Sequence, residues 1–205
     1  TYRKESGYEN RKPQMISYTN NLLLDIERRD FTINSLCMNK NGQVFDYLNG
    51  VDDLNQKIIR LIGEPEKRFI DDPLRILRAI RFAVTLDFDL EPRIVSFINK
   101  NTSLVRTLSY TRKKEELDKM FSSKNVGKGL NLLKELNLLD ALELEYDNIK
   151  LVPDLLGIWA QIKFADNYPF TKNNLKIIKR IRCILEEGEI SNYTLFRDKK
   201  KGINP

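Results

Sequence analysis

The sequence predicts an α+β fold that is mostly α, and three observations predict it. Short segments rich in β-branched and aromatic residues crowd the first sixty positions. From Glu64 onward the apolar spacing changes to a helical period. No self-similar repeat and no low-complexity tract replaces that helical pattern before the chain ends.

The strand candidates come first. MISYT (15–19), FTINSLCM (31–38), QVFDYL (43–48) and KIIRLIG (57–63) are short and separated by turn signals. Asn39-Lys40-Asn41-Gly42 reads as a hairpin turn, with Asn-Gly supplying positive φ. The first helix follows DDP at 71–73. Asp71 or Asp72 can cap it, Pro73 suits its first turn, and Leu74, Leu77, Ile80, Ala83 and Val84 form its buried stripe as far as about Leu86. Further helical patterns cover 91–100, 111–122, 126–137, 151–165 and 171–187, with breaks at Asn125-Val-Gly-Lys-Gly and at Asn137.

Bulk composition narrows the function. The chain has 205 residues, 41% apolar and 31% charged, which is ordinary for a globular protein. No run of apolar residues is long enough to span a membrane, and TYRKESGYENRK lacks the apolar core of a secretory signal, so a cytoplasmic location is expected. Cys37 and Cys183, far apart among apolar neighbours, read as buried free thiols. With no histidine, catalytic triads built on imidazole and histidine metal sites are excluded. The chain starts at Thr1 and stops at KKKGINP, and reads as a fragment with material missing on both sides.

A net charge of +6 and a pI near 9.2 point to an acidic partner, nucleic acid first. The distribution says more. Residues 28–112 hold ten arginines and four lysines, whereas 113–205 hold three arginines and fourteen lysines. A guanidinium can pair with phosphate or a base edge through two bonds at once, and an ammonium acts as a point charge. The first stretch therefore reads as an anion or nucleotide site and the second as a diffusely basic surface.

Asp72, Arg75, Arg78 and Arg81 stand three apart and form one winding strip on the predicted helix, opposite Leu77, Ile80 and Val84. A solvated face with i,i+3 ion pairs is the plain alternative. Against it, no acidic residue lies between 73 and 86, and four nearby cations, counting Arg68, repel one another without an anion among them. A triphosphate fits. A second cluster, Arg28-Arg29-Asp30, precedes a predicted strand and reads either as a charged turn or as side chains reaching into a cleft. Trp159, Tyr168 and Phe170 could stack on RNA, but Trp159 is spaced with Leu155, Leu156 and Ile162 as a core residue. Lys199–Lys201 reads as a solvated basic end. The D-x-D of Asp87-Phe88-Asp89 reads as an ordinary acidic turn rather than a metal site.

RRDFTINSL (28–36), FDYLNGVDDL (45–54) and IRLIGEPEKRFIDDPLRILRAIRFAVTLDF (59–88) closely resemble the bacterial class II tRNA nucleotidyltransferases and their relatives, the bacterial poly(A) polymerases. TYRKESGYENRKPQ and YTRKKEELDKMF (110–121) extend the resemblance over about residues 1–125. It implies the C-terminal part of a polymerase-β-like nucleotidyltransferase head over 1–62, a helical neck over 63–125 and the start of an RNA-binding helical body over 126–205. It also implies template-independent addition of CCA to tRNA 3′ ends from CTP and ATP, with poly(A) tailing from ATP alone as the alternative. A non-catalytic RNA-binding module is a further alternative.

In the family, the aspartate and arginine of an E-D-x-x-R motif hydrogen-bond the incoming base. Asp72 and Arg75 match them, with Asp71 standing in place of the glutamate. An acceptor beside a donor suits cytosine and adenine, while guanine and uracil present the reverse order, a mismatch costing on the order of several kcal/mol. The same match implies that Arg29 contacts ribose or triphosphate with Asp30 holding that corner, and that Arg78 and Arg81 neutralise phosphates. The family's catalytic carboxylates, which hold two Mg2+ ions, lie upstream of the match to TYRKE. The isolated chain is therefore expected to be inactive.

Overall fold

The computed structural model describes residues 2–9, 12–19 and 21–187, with only the backbone described for 2–9, 12–19 and Glu187. It divides into two compact units, 1–142 and 143–205. The architecture is α+β and mostly α, as the sequence predicts.

In the first unit, β1 (Tyr2–Glu9) and β2 (Lys12–Thr19) form an antiparallel pair with Ser6 opposite Met15. MISYT is thus the end of a longer strand, and its partner carries no run of apolar residues that would mark it in the sequence. Next comes α1 (Leu22–Glu27), capped by the Asn21 side chain, which accepts from the Leu23 amide. FTINSLCM is not the continuous strand expected. Thr32–Asn34 is a 3-10 turn, closed by the Ser35 hydroxyl donating to the Thr32 carbonyl at 2.6 Å, and only Cys37–Met38 (β3) is extended. Side-chain hydroxyls compete here with the ladder that the β-branched composition favours. β3 pairs with β4 (Val44–Phe45) through the expected hairpin, where Gly42 has φ +82° and the Asn39 carboxamide accepts from the amides of Asn41 and Gln43.

The remainder of QVFDYL departs from the strand expectation too. Asp46 accepts from the amides of Leu48, Gly50 and Val51 and thereby starts α2 (Gly50–Gln56), so its carboxyl titrates below the usual range despite the cost of desolvation. α2 lies so close to the 3-10 turn that a Cβ on Gly50 would stand 2.4 Å from the Thr32 carbonyl oxygen. β5 (Ile58–Ile59) is shorter than KIIRLIG and pairs in parallel with β6 (Asp89–Leu90), while Leu61 bridges Phe31.

Helices α3 (Pro65–Asp71), α4 (Leu74–Leu86), α5 (Pro92–Lys100), α6 (Tyr110–Phe121) and α7 (Val126–Glu135) make up most of the rest of this unit. α4 is its centre and packs on α3, α6 and α7. Ile76, Leu77, Ala79, Ile80, Ala83 and Val84 are all buried there, a wider face than the predicted stripe, because neighbours cover it on several sides. The capping expectation holds at Asp72, whose Oδ1 accepts from the Leu74 amide at 3.3 Å. Asn125 does precede a helix start, but Gly127 and Gly129 lie inside α7, not in a break. A Cβ on Gly129 would meet Met120 at 2.7 Å, so the small residue admits α6. Asn137 ends the helix with φ +54°, as expected, before the short α8 (Leu139–Leu142).

The second unit holds β7 (Leu144–Glu145), α9 (Leu155–Ala160), β8 (Lys163–Phe164) and α10 (Lys172–Glu187). α9 is shorter than the 151–165 pattern. Asp154 caps it by accepting from the Gly157 amide, and residues 163–164 instead pair antiparallel with β7. Trp159 is fully buried against Phe164, Tyr168 and Phe170, which makes it core, as its spacing predicts. Both cysteines are free, but Cys37 is half-buried and Cys183 exposed. The expectation of buried thiols fails because Cys183 falls on the outward face of α10. Among the described residues no helix is long and apolar enough to cross a membrane.

Candidate functional site

The two arginine clusters of the sequence meet in the first unit. The turn after α1 is fixed by backbone bonds, with the Ile62 amide donating to the Asp30 carbonyl and the Thr32 amide to the Arg60 carbonyl. Phe31 is fully buried and meets Phe82 of α4 edge-on at 5.6 Å, which sets Asp30 against the arginine helix. A cavity of about 390 Å³ opens there, lined by Arg28, Arg29, Asp30, Asn34, Arg75 and Arg78. Of the predicted residues, Arg29, Asp30, Arg75 and Arg78 thus share one cavity, and Asp72 and Arg81 lie outside its lining.

Each arginine has an anchor. Asp25, buried in α1, takes both forks: its Oδ1 accepts from Arg28 Nη2 at 2.6 Å and its Oδ2 from Arg29 Nη2 at 2.9 Å. Arg29 also donates through Nη1 to the Asn34 carbonyl at 2.7 Å. Arg78 donates through Nε to Asp30 Oδ2 at 2.7 Å, and Asp30 Oδ1 accepts from the Asn34 carboxamide and the Phe31 amide. Arg75 Nη2 donates to the Arg28 carbonyl and Nη1 to the Arg68 carbonyl, both at 3.3 Å. Arg68 donates to the carbonyls of Arg28 and Arg29. Arg81 leaves the cavity for α6, where Nε donates to the buried Glu116 at 2.5 Å, with its guanidinium 3.9 Å above the Phe82 ring. Asp72, a helical turn before Arg75, faces Arg112 of α6 at 3.7 Å.

Arg78 and Arg81 therefore have carboxylate partners, contrary to the reading that nothing neutralises them. Those partners stand 48 and 35 residues away, beyond any helical window. Even so, four guanidinium groups against Asp25 and Asp30 leave a cationic recess that suits a phosphorylated ligand. Sequence reasoning missed Asp25, Asn34, Arg112 and Glu116 as partners. Asp25 was discoverable as the carboxylate three and four residues before Arg28 and Arg29 on a helix; the α6 pair had no such signal.

Burial raises the Asp30 pKa, but the bonds from Asn34, Arg78 and the Phe31 amide and the Arg78 charge outweigh it, and the carboxyl sits below its usual value. A depressed folded-state pKa stabilises the fold above the unfolded value and loses that stabilisation as pH falls through it. Stability is thus expected to drop below about pH 4, and Asp30→Asn should blunt that drop in urea titrations.

The D-x-D is bridged by a lysine: Lys128 Nζ lies 3.1 Å from Asp87 and 3.3 Å from Asp89. Among the described residues no group of three or more acidic or thiol side chains is placed to hold a metal, so these residues do not fit the ions that nucleotidyl transfer uses. Lys199–Lys201 lie outside the described residues.

Residues 1–60 match the Poly A polymerase head domain, and residues 87–148 match the probable RNA and SrmB-binding site of polymerase A. The CCA-adding enzyme of Lactobacillus helveticus is 37% identical over 194 residues, covering 94% of this chain and 47% of that protein. The crystal structure of the Bacillus stearothermophilus CCA-adding enzyme in complex with CTP superposes with a TM-score of 0.80 at 24% identity, over 96% of this chain and 54% of that one. The Thermotoga maritima CCA-adding enzyme complexed with tRNA has a TM-score of 0.63 at 21% identity, over 89% and 51%. The chain spans about half the length of the curated relatives it matches. The chain belongs to the family of CCA-adding enzymes and bacterial poly(A) polymerases.

Proposed function

We propose that this chain is the base-reading and phosphate-holding part of a template-independent RNA nucleotidyltransferase that adds CCA to tRNA 3′ ends from CTP and ATP. The observation that carries the reading is the cavity lined by Arg28, Arg29, Arg75 and Arg78, assembled from two distant segments around Asp30. Arg29, Asp30, Arg78 and Arg81 serve the sugar–phosphate end, Arg81 through its hold on α6. Asp72 and Arg75 serve the base. Asp72 is a quarter exposed, and its carbonyl accepts from the Arg75 amide at 3.1 Å, so the two side chains stand one turn apart. Residues 1–62 act as head, 63–125 as neck and 126–205 as the beginning of a body that holds RNA. The two Mg2+ ions that activate the 3′ hydroxyl and stabilise pyrophosphate belong to carboxylates other than those described, and the isolated chain is inactive. The working compartment is the cytoplasm.

Binding of the four nucleotides to the purified chain tests the proposal. CTP and ATP are expected to bind at least about tenfold more tightly than GTP and UTP, since a mismatched pair of buried polar groups costs about 1–3 kcal/mol. Asp72→Ala should flatten the preference. Equal affinity for all four in the unaltered chain points instead to a non-catalytic module. The family description of the head domain favours poly(A) tailing as a second reading. A-only extension by the intact enzyme on a tRNA lacking its 3′ end would select it.

A further inference from the structure

The geometry points to Asp25, a buried carboxylate outside the cavity lining, as a positioning residue that locks Arg28 and Arg29 into one paired receptor for neighbouring phosphoryl groups. Asp25 stands three residues before Arg28 and four before Arg29, the two spacings that share a helical face. Its Oδ1 accepts from Arg28 Nε at 3.1 Å and Nη2 at 2.6 Å. Its Oδ2 accepts from Arg29 Nε at 3.2 Å and Nη2 at 2.9 Å. Both guanidinium groups thus turn their Nε edge to the same acid. Arg29 gives one further N–H from Nη1 to the Asn34 carbonyl, so the N–H groups it has left for a ligand sit on Nη1 and Nη2. The backbone beneath is held as well. Arg68 Nη2 donates to the carbonyls of Arg28 and Arg29, and Arg75 Nη2 donates to that of Arg28 at 3.3 Å.

A carboxylate behind an anion site works against simple attraction. Four guanidinium groups line the recess, and Asp25 and Asp30 reduce its excess to two positive charges, so charge alone would draw an anion more strongly without Asp25. What the acid supplies is order. Long arginine side chains lose rotamer freedom when they grip a ligand, and side chains already held lose less. Two like charges side by side also repel, and a shared carboxylate offsets that repulsion before the ligand arrives. Asp25 takes two of the four lining arginines in this way, whereas Asp30 takes Arg78. Forks held side by side suit a ligand with phosphoryl groups in a row rather than a single phosphate. The inference deepens the proposed function: it rests on the phosphate-holding role of the cavity and not on base reading by Asp72 and Arg75.

Equilibrium binding of CTP, CMP and inorganic tripolyphosphate to the 205-residue chain in metal-free buffer is the test. The unaltered chain should hold CTP and tripolyphosphate more tightly than CMP. Asp25→Asn keeps the size of the side chain but removes its charge and one of its two acceptors. Affinity for CTP and tripolyphosphate should then fall about tenfold, while that for CMP changes by less than about threefold. A role as counter-charge alone predicts the opposite sign, tighter binding of all three. Arg28→Lys keeps the test decisive if Asp25→Asn unfolds. It conserves charge but removes the fork, and should narrow the ratio of CTP to CMP affinity by at least about threefold. Tighter or unchanged binding of CTP and tripolyphosphate in Asp25→Asn, an equal loss for CMP, or an unchanged ratio in Arg28→Lys would each overturn the inference. So would a failure of the unaltered chain to bind tripolyphosphate. That probe carries no base, so the expected response to it without a preference for CTP over GTP sinks the base reading and leaves Asp25 in its role.

Discussion

Arg78→Ala is expected to lower stability by about 2–3 kcal/mol and to remove most nucleotide affinity. Asp30 is buried, and its Oδ2 takes both the Nε and Nη2 donors of Arg78. Deleting one partner of a buried pair strands the other charge, at about 3–5 kcal/mol when burial is complete. Arg78 is a third exposed, so water screens part of that loss and the lower figure applies. The pH dependence supplies a signature. Without Arg78, desolvation, the largest influence on Asp30, is opposed only by Asn34 and a backbone amide. The carboxyl should then titrate higher than in the unaltered protein. Acidification from neutral pH toward pH 4 should therefore shrink the difference in urea midpoint between the two proteins. A constant difference across that range would show that Asp30 is not the group involved.

Gly50→Ala should be the most damaging single methyl group in the first unit. At an open helical site the change gains up to about 1 kcal/mol, since alanine is the better helix former. Here the new Cβ would stand 2.4 Å from the Thr32 carbonyl oxygen and 3.2 Å from Leu36 Cδ2. The first is a backbone atom, held by the 3-10 turn and by the Thr32 hydroxyl bonded to Asp53 at 2.6 Å, so it cannot swing aside. Overpacking of this kind costs about 1–3 kcal/mol or more, and it outweighs the propensity gain. The displaced turn begins two residues after Asp30, so nucleotide affinity should fall together with the melting temperature. Gly129→Ala gives the contrast. Its Cβ meets the flexible Met120 side chain, and the expected loss is much smaller.

The sequence made α4 legible because its period is long and regular: Leu77, Ile80, Ala83 and Val84 are buried, and the arginine strip winds beside them. It also singled out Arg29, Asp30, Arg75 and Arg78, with Arg75 expected at the base and the others at sugar and phosphate, and one cavity gathers these four while Asp72 and Arg81 lie outside its lining. The short elements were not legible. LLLDIE has too few turns for a helical period to show, and GVDDLNQ owes its start to Asp46, a local cap hidden in the strand-like composition of QVFDYL. FTINSLCM has strand composition but folds as a turn because hydroxyl and carboxylate groups take the backbone bonds first. Pairings across the fold were hidden for a different reason. Glu116 and Asp30 neutralise arginines on α4 from elements that only the tertiary structure brings near.

Trp159, the one tryptophan in the chain, sits wholly inside the second unit with a fully enclosed ring. Its emission is therefore a built-in reporter for that half and optically blind to melting of the arginine-lined half. Unfolding traces taken by fluorescence and by far-ultraviolet dichroism need not coincide, and the gap between them measures how independently the two halves come apart.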